Sequence, residues 1–90
     1  MTDLDRNDVG TMNESLHIDR ELDARGLNCP LPILRTKKSL NDMTSGQILK
    51  VLATDPGSVR DFEAFCRQTG NQLVSSSQAP DEFLFLLRKK

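Results

Sequence analysis

The chain has 90 residues, with 12 Lys and Arg balanced against 13 Asp and Glu. That length suits one domain with a modest core and leaves little room to enclose a large ligand. The near-neutral balance gives no general field to draw the chain onto nucleic acid or an anionic membrane. No hydrophobic leader follows Met1 and no apolar run reaches the length of a membrane span, so a cytoplasmic, reducing setting in which thiols stay free is expected.

Residues 1–16 are polar, mixed in charge and aperiodic, and read as a flexible N-terminal tail ahead of a single domain at 17–90. His17, at the junction, reads as a solvated surface residue. From Ile18 the pattern alternates, Ile18, Leu22 and Ala24 on one parity and Asp19, Glu21 and Asp23 on the other, which predicts an amphipathic strand. Gly26-Leu27-Asn28 breaks it. A helix is predicted to about Met43, with Ile33, Leu34 and Leu40 on one side, Lys37 and Lys38 on the other, and Ser45-Gly46 closing it.

Residues 47–54 are almost continuously apolar and predict a central strand covered on both faces. Asp55-Pro56-Gly57 predicts the start of a second helix, with Asp55 capping and Pro56 in the first position. Val59, Phe62, Phe65 and Cys66 form its apolar stripe and Gly70 its end. A short strand around Leu73 and Val74, a turn at 78–81 and a last strand at 82–88 complete a β-α-β-α-β-β order. Strand–helix–strand units imply crossovers that put both helices on one face of a small sheet. Leu84, Leu86 and Ile48 or Leu49 then either face out as a partner or dimer surface or fill the core edge.

The chemistry concentrates at Cys29. The cysteine arrives where a strand has ended, Gly26 has turned the chain and a helix is about to start. Amides of a helix's first turn lack partners and, with the macrodipole, favour an anion, so a lowered thiol pKa is expected. Pro30 and Pro32 lack amide protons and are tolerated only in that first turn, and they keep Cys29 outside the helix. If the helix begins at Pro30, the amides of Leu31 and Ile33 serve the sulfur; if at Pro32, those of Ile33 and Leu34 do. Arg25 either adds positive potential or is a solvated strand end. Arg35, Lys37 and Lys38 read as the wet face of the helix.

No His, Asp or Glu is obviously placed as a base, and His17 should sit at the opposite end of the strand, so a Cys/His hydrolase is not expected. Thiol–persulfide exchange needs only a thiolate and an accessible acceptor sulfur, and fits better. Cys66, on the apolar stripe, reads as an inert core residue rather than a resolving thiol. Without a C-x-x-C a thioredoxin-type dithiol is not expected; with His17 alone a structural zinc site lacks ligands unless two chains share it, and no cofactor is expected.

The segment Leu22-Asp23-Ala24-Arg25-Gly26-Leu27, the Cys29-Pro30-Leu31-Pro32 that follows, Asp55-Pro56 and the Phe65-Cys66 pair together resemble the TusA (SirA-like) family of sulfur carriers. The resemblance runs from about Leu22 to the C-terminus. It implies a two-layer α/β sandwich with a four-stranded mixed sheet. It also implies that Cys29 takes sulfane sulfur from a pyridoxal-phosphate cysteine desulfurase and relays it to an acceptor protein's cysteine, for tRNA 2-thiouridine synthesis or another sulfur-transfer pathway. The tRNA-thiolation branch often carries an acidic residue between the two prolines, where this chain has Leu31. No stable nucleic-acid or membrane binding is expected, and a monomer is. The alternatives are a small non-catalytic protein- or RNA-binding or regulatory module of the same fold, and a redox sensor that oxidises Cys29 to sulfenic acid.

Overall fold

A computed structural model describes residues 17–90; the expectation for residues 1–16 falls outside them. The elements follow the predicted order: β1 (Arg20–Ala24), α1 (Leu31–Asn41), β2 (Ile48–Ala53), α2 (Ser58–Thr69), β3 (Gln72–Gln78) and β4 (Phe83–Arg88). The strands form one mixed sheet in the order β1-β2-β4-β3. β1 runs parallel to β2, pairing Leu22 with Val51 and Ala24 with Ala53. β4 runs antiparallel to both β2 and β3.

One side of the sheet carries Leu49, Val51 and Ala53 of β2 and Phe85 and Leu87 of β4, all buried. Both helices pack there. α1 contributes Leu40, with Met43 just beyond it; α2 contributes Phe62, Phe65 and Cys66. The centre is an aromatic stack, the Phe62 and Phe85 rings lying 4.4 Å apart at 21°. The opposite face carries Leu52, Leu84 and Leu86, each half-buried. Of the two residues weighed for that face, Leu49 points into the core and Ile48 is buried at the rim, where its backbone pairs with Asp19.

Three local expectations change. Leu34 is 53 % exposed, not part of the buried stripe. At 100° per residue it stands about 120° round the helix from Leu40, and the inward row is Pro32, Thr36 and Leu40, at every fourth position. α2 begins at Ser58, not at Pro56: the Asp55 carboxylate accepts the Gly57 amide (3.0 Å) in a turn before the helix. β3 runs on to Gln78, with an irregularity between Leu73 and Ser75, so the predicted turn at 78–81 begins one residue late. The other end of α2 is as expected, Gly70 adopting a left-handed φ of 85° while its amide bonds the Cys66 carbonyl.

Because β1 and β2 are parallel, the loops leaving them toward α1 and α2 emerge at the same edge of the sheet. His17 lies at the opposite edge, its Nε2 3.4 Å from Asp19 Oδ1.

Candidate functional site

The loop that ends β1 is held by backbone geometry. Gly26 has a φ of 82°, and a Cβ placed there would touch nothing within 4 Å, so the requirement for glycine is conformational. Its amide donates to Thr54 Oγ1 (2.8 Å), which ties the β1 exit to the end of β2. Leu27 donates back to the Ala24 carbonyl (3.3 Å) and packs half-buried against the core. The Leu31 amide then donates to the Asn28 carbonyl (2.8 Å), closing a turn around Cys29.

The helix starts between the two positions weighed from the sequence. Its first residue is Leu31, with Pro30 as N-cap and no side-chain cap. Pro30 is exposed and Pro32 buried. The Cys29–Pro30 peptide is cis. With the Leu31 amide given to Asn28 and the Leu34 amide given to the Pro30 carbonyl (3.1 Å), Ile33 is the one first-turn amide that meets no backbone acceptor among the described residues. Of the expected pair of free amides only Ile33 is left without a backbone acceptor, and no hydrogen bond joins it to the Cys29 sulfur.

Cys29 is exposed. It borders an open cleft whose other wall is the start of α2: Pro56, Gly57, Val59, Arg60, Asp61 and Glu63. The thiol thus faces an acidic helix end. The Asp61 carboxylate, by accepting from the S–H and by its charge, pushes the Cys29 pKa up; partial desolvation and the Asp55 carboxylate act in the same direction. This corrects the expected lowering: every influence on the thiol raises its pKa, the Asp61 carboxylate first.

Arg25 does not relieve the site. Its guanidinium meets Asp23 through Nε–Oδ1 (2.9 Å) and Nη2–Oδ2 (2.9 Å) and reaches Glu82 Oε1 at 3.4 Å. Those bonds hold Asp23 at a pKa of about 2 and leave the arginine as a clasp between β1 and the start of β4. Cys66 is 7 % exposed in the core, where burial pushes its thiol pKa up, and it borders none of the Cys29 cleft. Among the described residues, no cluster of His, Cys, Asp or Glu suits a metal, and no helix is long and apolar enough to cross a membrane.

Sequence reasoning missed Asp61. The signal was topological: parallel β1 and β2 bring the first turns of α1 and α2 to one sheet edge, so an acidic residue in the first turn of α2 had to lie near Cys29. Leu31 and Leu34, in the first turn of α1 after Cys29, are exposed at 44 % and 53 %.

The chain is similar to known proteins. The family profile described as Sulfurtransferase TusA matches residues 20–89. Sulfur carrier protein TusA of Allochromatium vinosum is 65 % identical over 71 residues, spanning 79 % of this chain and 93 % of that protein. The TusA sulfur carrier of Pseudomonas syringae pv. syringae is 43 % identical over 77 residues, spanning 86 % and 92 %. The crystal structure of a SirA-like protein from Desulfitobacterium hafniense superposes with a TM-score of 0.68 at 22 % identity over 77 % of this chain and 95 % of that one, a likeness of fold. With the profile covering the whole described α/β unit, the chain belongs to the TusA family.

Proposed function

We propose that this protein is a sulfur carrier that holds sulfane sulfur as a persulfide on Cys29 and relays it to an acceptor protein thiol. The observation that carries this is the setting of Cys29: an exposed thiol on a stiff loop, in an open cleft that no histidine borders, in a chain of the TusA family. An open cleft suits docking against another protein's active site better than enclosing a small substrate.

In the loading step the Cys29 thiolate attacks the outer sulfur of a donor persulfide and the donor thiolate leaves. A cysteine desulfurase is the donor proposed, its pyridoxal phosphate belonging to that enzyme and not to this chain. Asp61 holds the thiolate fraction at neutral pH below that of a free thiol, so loading speeds up as pH rises. Gly26, Pro30 and Pro32 shape the loop and make no contact with the sulfur that the chemistry requires. The proposed setting is the cytoplasm, and tRNA 2-thiouridine synthesis is one destination for the sulfur, tested by tRNA thiolation in a strain lacking this protein.

Intact-mass spectrometry after incubation with a cysteine desulfurase and free cysteine tests the role. One added sulfur on the wild type, absent in Cys29→Ser and kept in Cys66→Ser, is the expected result. No added sulfur with desulfurases or inorganic donors would leave a binding or regulatory module of the same fold.

A further inference from the structure

Cys29 sits where two unlike surfaces meet. On α1, Leu31, two residues on from Cys29, and Leu34, about a turn further along, are apolar and exposed. On the α2 side the charged groups of the cleft are Arg60, Asp61 and Glu63, with the Asp55 carboxylate of the preceding turn also acting on the thiol. The one other arginine of this loop, Arg25, is engaged with Asp23 and Glu82. The negative charge closest in effect to the sulfur is Asp61, carried by a helix whose first turn is fixed by the Asp61 amide bonding the Gly57 carbonyl (3.0 Å).

We propose that Asp61 is a positioning residue that makes Cys29 a ready sulfur donor: its carboxylate disfavours the anionic persulfide relative to the neutral thiol, and so drives sulfur onward to the acceptor. This rests on the carrier role proposed above. A persulfide ionises more readily than its parent thiol, so the loaded site is negative where the empty site is neutral. Hand-off is Cys29–S–S⁻ plus R–SH giving Cys29–SH plus R–S–S⁻. The acceptor sulfur, having released its proton, attacks the outer sulfur. The bond between the outer sulfur and Cys29 Sγ breaks, its electron pair leaves on Sγ, and Sγ takes up a proton. Atoms and charge balance, and there is no net oxidation or reduction. The step moves one negative charge away from Asp61, and a fixed carboxylate favours that direction. The same field protects the empty thiol from stray electrophiles, since the thiolate is the reactive form.

The test is a competition. Wild type and ¹⁵N-labelled Asp61→Asn are mixed in equal amounts with limiting inorganic polysulfide, and intact-mass spectrometry reads which protein holds the added sulfur at equilibrium. The variant should hold roughly three- to sixfold more, the factor for removing one unit charge about 4–6 Å away in water. Asp61→Glu, which keeps the charge, should return the partition toward even. Asp42→Asn, which removes a charge from the far end of α1, should share evenly with wild type. An even partition between wild type and Asp61→Asn would overturn the inference. Alkylation of sulfur-free Cys29 against pH is run alongside: a profile unchanged in Asp61→Asn overturns the inference without any loading. A displaced profile with no loading in any variant overturns the carrier role alone.

Discussion

The Asp61 carboxylate, in the first turn of α2, borders the same cleft as the Cys29 thiol at the end of the β1–α1 loop and favours its protonated form. A thiol whose pKa is raised in the folded state is mostly S–H below that value, and its reactive thiolate appears only as pH climbs through it. In a Cys66→Ser background, where one thiol reports, iodoacetamide should therefore alkylate Cys29 with a midpoint above that of the same chain unfolded in guanidinium. The rate should climb steadily from neutral pH with no early plateau. A folded-state midpoint below the unfolded one would mean that the helix terminus outweighs the carboxylate.

Arg25 makes the complementary case. Its guanidinium is held by two short bonds to Asp23 and a longer one to Glu82, so its charge is compensated before it can act on the sulfur. Arg25→Ala should leave the alkylation midpoint of Cys29 where it was. It should also let Asp23 titrate upward from about 2 toward the ordinary carboxylate range. Carboxyl chemical shifts followed by NMR would report the Asp23 titration. A drop in Cys29 reactivity in this variant would restore Arg25 as part of the site.

The turn itself can be probed at two atoms. Gly26→Ala places a Cβ in open space but at a φ of 82°, so the penalty is backbone strain alone, about 1–2 kcal/mol for an L-residue in the left-handed region. Thr54→Val removes the acceptor of the Gly26 amide and should cost about 0.5–1.5 kcal/mol, the net worth of one such bond. Urea midpoints measure both. An unchanged midpoint in Gly26→Ala would show that the loop relaxes to another turn.

How far the sequence could be read depended on the range of the interaction that decided each feature. The alternation from Leu22 to Ala24, the strand at 48–53 and the stripe through Phe62 and Cys66 are local patterns that the fold kept. Ile18, by contrast, falls before β1 and is exposed, and Lys50 and Leu52 are only half-buried, so β2 is not covered on both faces as expected. Leu34 was also locally decidable, since two helical steps from Pro32 turn it outward, and its apolar side chain alone does not place it in the core. The start of α2 depended on whether Asp55 would cap the helix or fold its own turn, and both use the same residues. The pKa of Cys29 was the least legible, because Asp61 is 32 residues away in the chain and meets the sulfur only once β1 and β2 pair in parallel.

The same core argument sets the sensitivity of the fold. Phe62 is fully buried and stacked on Phe85, the ring that joins α2 to the sheet. Truncating such a ring typically costs about 3–5 kcal/mol, and small domains hold only about 5–15 in total. Phe62→Ala should therefore lower the urea midpoint sharply or leave the chain unfolded at 37 °C. Phe62→Leu, which keeps most of the volume, should fold. Equal stability of the alanine variant and the wild type would contradict the assigned core.

Leu31 and Leu34 give the opposite expectation. Both are exposed, so replacing them removes little buried surface, and the stability change for Leu31→Ser with Leu34→Ser should stay within about 0.5 kcal/mol per site. Neither contributes a charge to Cys29, so alkylation by a small reagent should be unaffected. An exposed apolar pair beside a reactive group is what a docking partner can cover, and burying it on association would favour the complex. Sulfur loading from inorganic polysulfide should then proceed at the wild-type rate in the double variant, while loading from a cysteine desulfurase falls. If both loading reactions keep their wild-type rates, the pair plays no part in partner docking, and the acidic flank formed by α2 becomes the surface to mutate next.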